Sequence, residues 1–107
     1  MRKVNKYSKN KAPNKKFLFK ISDDSMVNVG IKKGDLVFVK NQEEFISGDI
    51  VLAQVEGKLM VKRFISNDTP PFIYLKPESP KHKVIPFTEK VRLKGKVVSV
   101  GKSKKKG

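Results

Sequence analysis

The sequence predicts an all-β domain, built on a small, coiled and partly closed sheet with flexible basic tails. Three observations point there. Apolar residues come in short runs rich in Val, Ile, Leu and Phe, punctuated by Gly, Pro, Asn and Asp. No stretch of ten or more residues carries a helical apolar period. The basic residues crowd the ends: residues 1–20 hold eight Lys or Arg and no acid, and residues 102–106 add four lysines. The net charge of +15 therefore belongs mainly to the tails, and residues 21–101 are close to balanced. A length of 107 residues suits one domain around one modest core.

Residues 1–15 mix Lys, Asn, Ser and Pro with almost no apolar content and are expected to form a mobile arm. The domain proper is expected over 16–101. Phe17, Phe19 and Ile21 alternate with Leu18 and Lys20, a strand pattern that ends at Ser22-Asp23-Asp24. A helical turn fits between Ser25-Met26 and Gly34-Asp35. Leu36–Val39 is a β-rich run, and Asn41–Gly48 a polar connection. Ile50–Val55 and Leu59–Ile65 flank Glu56-Gly57-Lys58, a hairpin signal because glycine accepts positive φ. Pro70-Pro71 breaks the chain, and strands are expected at Phe72–Leu75, Val84–Phe87 and Val91–Val100, with a bulge or bend at Gly95. Residues 102–107 form a basic tail.

Several classes of function are disfavoured at once. No apolar run approaches the ~20 residues needed to span a bilayer, and no apolar segment follows the basic N-terminus as in a signal peptide. The expectation is a soluble, cytoplasmic chain without a membrane partner. Cysteine is absent, so there is no disulfide, no thiol nucleophile and no cysteine metal site. The one histidine, His82, lies in a Pro/Lys-rich stretch and reads as a solvated loop residue rather than a triad member. No metal-ligand spacing or phosphate-binding glycine loop is present, and no cofactor is expected.

Any nucleophile must then be Ser or Thr, with Lys or a carboxylate as its base. Lysine has an ordinary pKa of ~10.4, and burial lowers it toward a neutral amine able to take a serine proton. Lys62 lies in the apolar run Leu59-Met60-Val61-Lys62-Arg63-Phe64-Ile65. Alone it would suit the solvated face of a half-buried strand. Ser25 alone would suit a capping cluster with Asp23 and Asp24.

Together they carry more. Phe19-Lys20-Ile21-Ser22-Asp23-Asp24-Ser25-Met26, Gly30-Ile31, Gly34-Asp35-Leu36, Gly48-Asp49-Ile50-Val51 and Val61-Lys62-Arg63 follow in order, and Ser25 and Lys62 stand 37 positions apart. With Leu75-Lys76-Pro77-Glu78-Ser79 and Gly95-Lys96-Val97-Val98 downstream, residues 17–101 resemble the catalytic domain of the LexA/UmuD/phage-repressor family of Ser–Lys self-cleaving peptidases. The resemblance implies Ser25 as nucleophile and Lys62 as general base that later protonates the leaving amine. It also implies an oxyanion hole containing the Ser25 N–H, with Met26 walling the cleft. Gly34-Asp35 and Gly48-Asp49 read as turns whose carboxylates bond local backbone, without catalytic roles.

Two departures from the family pattern stand out. Asp23 occupies a position where the family usually has glycine, and it is expected to point away from Lys62. The residues before Ser25 contain no small-residue pair flanked by apolar residues, and Lys11-Ala12-Pro13-Asn14 is a poor substitute because proline removes an N–H. The expectation is a chain without its own cleavage segment, and not a complete repressor. As partners the resemblance implies a second copy in a homodimer, with a RecA filament or an error-prone polymerase as further family partners. The Lys-rich tails offer salt-dependent, sequence-blind contacts to nucleic acid. Two alternatives remain at this stage: a non-catalytic UmuD-like interaction module, and a soluble relative of signal peptidase.

Overall fold

The computed structural model describes residues 15–101. The basic arm expected over 1–15 and the tail over 102–107 lie outside the described residues, Lys15 excepted. Seven strands form one antiparallel sheet: β1 Lys16–Lys20, β2 Leu36–Lys40, β3 Ile50–Val55, β4 Lys58–Ser66, β5 Ile73–Lys76, β6 Ile85–Pro86 and β7 Val91–Gly101. A single 3-10 turn at Val27–Val29 is the one helical element among the described residues. The all-β expectation holds, and each of the seven expected runs forms a strand.

The strand order is β1-β2-β7-β3-β4-β5-β6. The sheet is open: β1 and β6 are its two edges and do not pair. It coils instead of closing, and β7 supplies the bend. The C-terminal half of β7 pairs with β2 and its N-terminal half with β3, so Lys96 is in register with both Lys40 and Val51. Register shifts leave Val98 unmatched opposite β2 and Lys94 unmatched opposite β3. Such bulges bend a strand and increase its twist. The bend expected at Gly95 is therefore there, beside the Lys94 bulge. A Cβ on Gly95 would lie 2.6 Å from Val39 Cγ1 and 2.7 Å from the Lys40 carbonyl oxygen, so this crossing admits only glycine.

The β3–β4 hairpin forms as its residues suggest. Val55 pairs with Lys58 across a two-residue turn in which Glu56 and Gly57 have φ of 51° and 84°. Positive φ at both positions is the turn that matches the natural twist of a hairpin.

Two apolar clusters hold the molecule. One joins Ile21, Met26 and Ile31 of the β1–β2 connection to Val37, Val39, Leu52 and Val61. The other joins Val51, Ala53, Phe64, Leu75 and Val91, with the Phe64 ring centroid 6.3 Å from those of both Phe45 and Phe87. The first cluster matters most here, because it pins the connection that carries Ser25 against the sheet.

Candidate active site

Ser25 sits in the connection between β1 and β2, between the buried anchors Ile21 and Ile31. Its neighbour Met26 is 1% exposed and drives the loop into the core. Met26 also lines a small hollow beside Asp23, with Phe19, Ile21, Met60 and Val61. The backbone then fixes Ser25 from the other side. The Glu78 N–H donates to the Ser25 carbonyl at 2.7 Å, and the Asn28 N–H donates to the Glu78 carbonyl at 2.8 Å. The segment after β5 thus clamps the loop as an extra strand would.

Arg63 holds that segment. Its Nε donates to Glu78 Oε2 at 2.6 Å, and its Nη1 donates to the Gly48 carbonyl at 2.6 Å. Gly34-Asp35 and Gly48-Asp49 play the turn roles read from the sequence. Asp35 Oδ2 accepts the Lys32 N–H at 2.8 Å, and Asp49 Oδ2 accepts the Ile46 N–H at 3.0 Å.

Lys62 lies in the middle of β4, in register with Val51. Its side chain is buried at 5% exposure and Ser25 at 0%, so neither group is part of a solvated face. Lys62 Nζ donates to Ser25 Oγ at 2.8 Å. Burial pushes the Lys62 ammonium below its ordinary value of 10.5, and the nearby Lys58 charge adds to the effect, while Asp23 opposes it. The site therefore has a hydroxyl, an amine inclined to lose its proton, and a hydrogen bond joining them. That arrangement can transfer a proton from serine to lysine.

Asp23 corrects the sequence reading. Its carboxylate does not turn away; Oδ1 accepts the Ser25 N–H at 3.0 Å. The backbone at Asp23 is not in the positive-φ region, so no glycine-like conformation is required there. Burial alone would raise its carboxyl. The bonds from the Ser25 backbone and hydroxyl, with the charges of Lys62 and His82, outweigh that and hold it below 3.8.

His82 is also not the solvated residue expected. It is half-buried: Nδ1 lies 3.1 Å from Ser79 Oγ, and Nε2 lies 3.4 Å from Asp24 Oδ1. Sequence spacing gave no sign of this contact, because it depends on where the Glu78 segment docks. Among the described residues no group of three or more His, Cys, Asp or Glu side chains could hold a metal ion, and no helix is long and apolar enough to cross a membrane.

Comparison with known proteins gives the family. The Peptidase S24-like family model matches residues 2–98. The chain belongs to the Peptidase S24-like family. Its S24 relatives include the LexA repressor of Carboxydothermus hydrogenoformans, 37% identical over 84 residues that make up 78% of this chain and 41% of the relative. The LexA repressor of Desulfitobacterium hafniense is 36% identical and that of Clostridium perfringens 34%, each over 84 residues, covering 78% of this chain and 40% of the relative. This S24 chain thus spans about two fifths of the length of the LexA repressors it matches.

Proposed function

We propose that this S24 domain is a serine peptidase domain in which Ser25 is the nucleophile and Lys62 the general base. The observation that carries the reading is the 2.8 Å bond between the two buried groups. Neutral Lys62 takes the hydroxyl proton as Ser25 Oγ bonds to the carbonyl carbon of a peptide, and the carbonyl π pair becomes an oxyanion. Collapse breaks the C–N bond, and the Lys62 ammonium protonates the departing amine. An ester on Ser25 remains. Water then gives a proton to Lys62 and attacks the ester; the bond from carbon to Oγ breaks, and the Lys62 ammonium returns the proton to Oγ, which releases the acid and restores both groups.

The test uses the full 107-residue chain and a fluorophosphonate probe, whose phosphorus takes Oγ and expels fluoride. Mass spectrometry is expected to find one adduct, at Ser25, absent from Ser25→Ala and Lys62→Ala. The labelling rate is expected to rise with pH as Lys62 loses its proton, with a midpoint below 10.5. Labelling at Ser25 that is unchanged by Lys62→Ala would sink the assignment.

Self-association is the second part of the reading, and it rests on an apolar face. Leu36 and Phe38 alternate with the buried Val37 and Val39 along β2, so they face away from the core. They are 41% and 40% exposed, Leu18 beside Phe38 is 53%, and Val98 is 41%. We infer that a second copy covers this face in a homodimer, which sedimentation equilibrium of the parent and Phe38→Glu would test. A parent that sediments as a monomer at all concentrations rules the dimer out.

A further inference from the structure

The Ser25 N–H is the donor that a nucleophilic serine most needs. When Oγ attacks a carbonyl, the oxygen becomes negative beside that same residue, and its own amide is the nearest group able to stabilise the charge. Here the amide is already engaged. Asp23 Oδ1 accepts it at 3.0 Å.

Ser25 Oγ in turn accepts from Lys62 Nζ. The resting proton thus lies on lysine and points to serine. Transfer from serine to Lys62 requires the reverse order: a hydroxyl turned toward an unprotonated Nζ.

Asp23 is exposed as a residue, so its carboxylate can leave the site without unpacking the core. The hollow lined by Phe19, Ile21, Met26, Met60 and Val61 also borders Asp23.

We propose that Asp23 is a positioning residue that occupies the anion-binding place of the Ser25 site, and that a substrate carbonyl oxygen must displace its carboxylate before Ser25 can react. This rests on Ser25 and Lys62 being the nucleophile and base. In the resting state Asp23 holds the amide. During reaction the carboxylate swings toward solvent, the freed N–H receives the oxyanion, and the hydroxyl turns to Lys62. No atom is consumed: Asp23 neither gains nor loses a proton in the cycle. It sets how much of the protein is competent to react.

The charged groups around this site are few enough to name. Lys62 and Lys58 on β4 face it, as do Asp23 on the Ser25 loop and His82 on the segment after β5, with Asp24 paired to His82. Removing the Asp23 charge takes away a nearby group that favours the Lys62 ammonium form. Its proton should then leave at lower pH.

The test compares the parent, Asp23→Ala, Asp23→Asn and Lys62→Ala, each as the full chain, by the second-order rate of fluorophosphonate labelling at Ser25 across pH. Asp23→Ala is expected to label about tenfold faster, the size of one lost hydrogen bond to a charged group. Its pH midpoint is expected to move down. Asp23→Asn keeps an oxygen for the Ser25 N–H but loses the charge, so it should shift the midpoint while gaining less in rate. Thermal unfolding of each variant checks that the fold is kept, and the exposed Asn variant serves if Ala does not fold. Asp23→Ala at the parent rate, with Lys62→Ala inactive, overturns the role of Asp23 and leaves the Ser–Lys assignment standing. Absence of Ser25 labelling in the parent and in both Asp23 variants overturns both.

Discussion

Gly95 crosses Val39 so closely that a single added carbon would lie 2.6 Å from Val39 Cγ1. The contact joins β7 to β2 where β7 bends between its two partners. Val39 belongs to the same apolar cluster as Met26, so the crossing supports the loop that carries Ser25. Gly95→Ala is expected to destabilise the domain by about 1–3 kcal/mol, since the second close atom is the Lys40 carbonyl oxygen, which cannot rotate aside. Urea unfolding checks it. A midpoint equal to that of the parent would mean that β2 and β7 can separate at no cost.

Lys62 gives a pH-dependent expectation that needs no substrate. Its folded-state value lies below the 10.5 of the unfolded chain. Between those two values the unfolded chain holds a proton that the folded chain has released, so this group makes stability rise with pH across the window. Below the window its buried charge lowers stability. Lys62→Met should abolish that rise and be at least as stable as the parent at pH 7. Urea unfolding of the two proteins at a series of pH values from 7 to 11 gives the comparison, and parallel curves would contradict it.

Arg63 should matter through the clamp rather than through chemistry. It bonds Glu78 and the Gly48 carbonyl, and the Glu78 backbone holds Ser25 and Asn28. Arg63→Ala is expected to cost about 1–3 kcal/mol. Amide hydrogen exchange should speed up at Asn28 and Glu78 more than at Leu52 in β3. Uniform acceleration would indicate a general loss of stability and no local role.

The β3–β4 turn offers a stabilising change. Glu56 has φ of 51°, a region that asparagine adopts more readily than glutamate. Glu56→Asn should raise stability by about 0.5 kcal/mol, and Gly57→Ala should lower it by about 1 kcal/mol. Thermal melts of both variants decide the matter: a turn that is indifferent to the first change is not held in this geometry.

Much of the fold was legible because strand signals are local. The apolar run Ile50–Val55, the Glu56-Gly57 turn and the run from Leu59 to Ile65 specify a hairpin with little help from elsewhere. Asp35 and Asp49 bond backbone three residues away, so their roles were also readable from order alone. Asp23 and His82 were misjudged for the opposite reason. Where the Asp23 carboxylate turns depends on the path of a loop pinned by Met26, Ile31 and the distant Glu78. His82 meets Asp24 only because the segment after β5 docks on that loop.

By itself the sequence determined the all-β class, the seven strands, the family, and the choice of Ser25 and Lys62 as the pair worth joining. It did so because strand alternation, turn residues and motif spacing are properties of neighbouring positions. Only the tertiary structure decided that the sheet stays open, that β7 bends over Gly95, and that Lys62 meets Ser25 inside the protein. It also decided that the exposed Asp23 bends its carboxylate back onto the Ser25 amide. These are contacts between segments far apart in the chain, and their geometry follows from how the core packs.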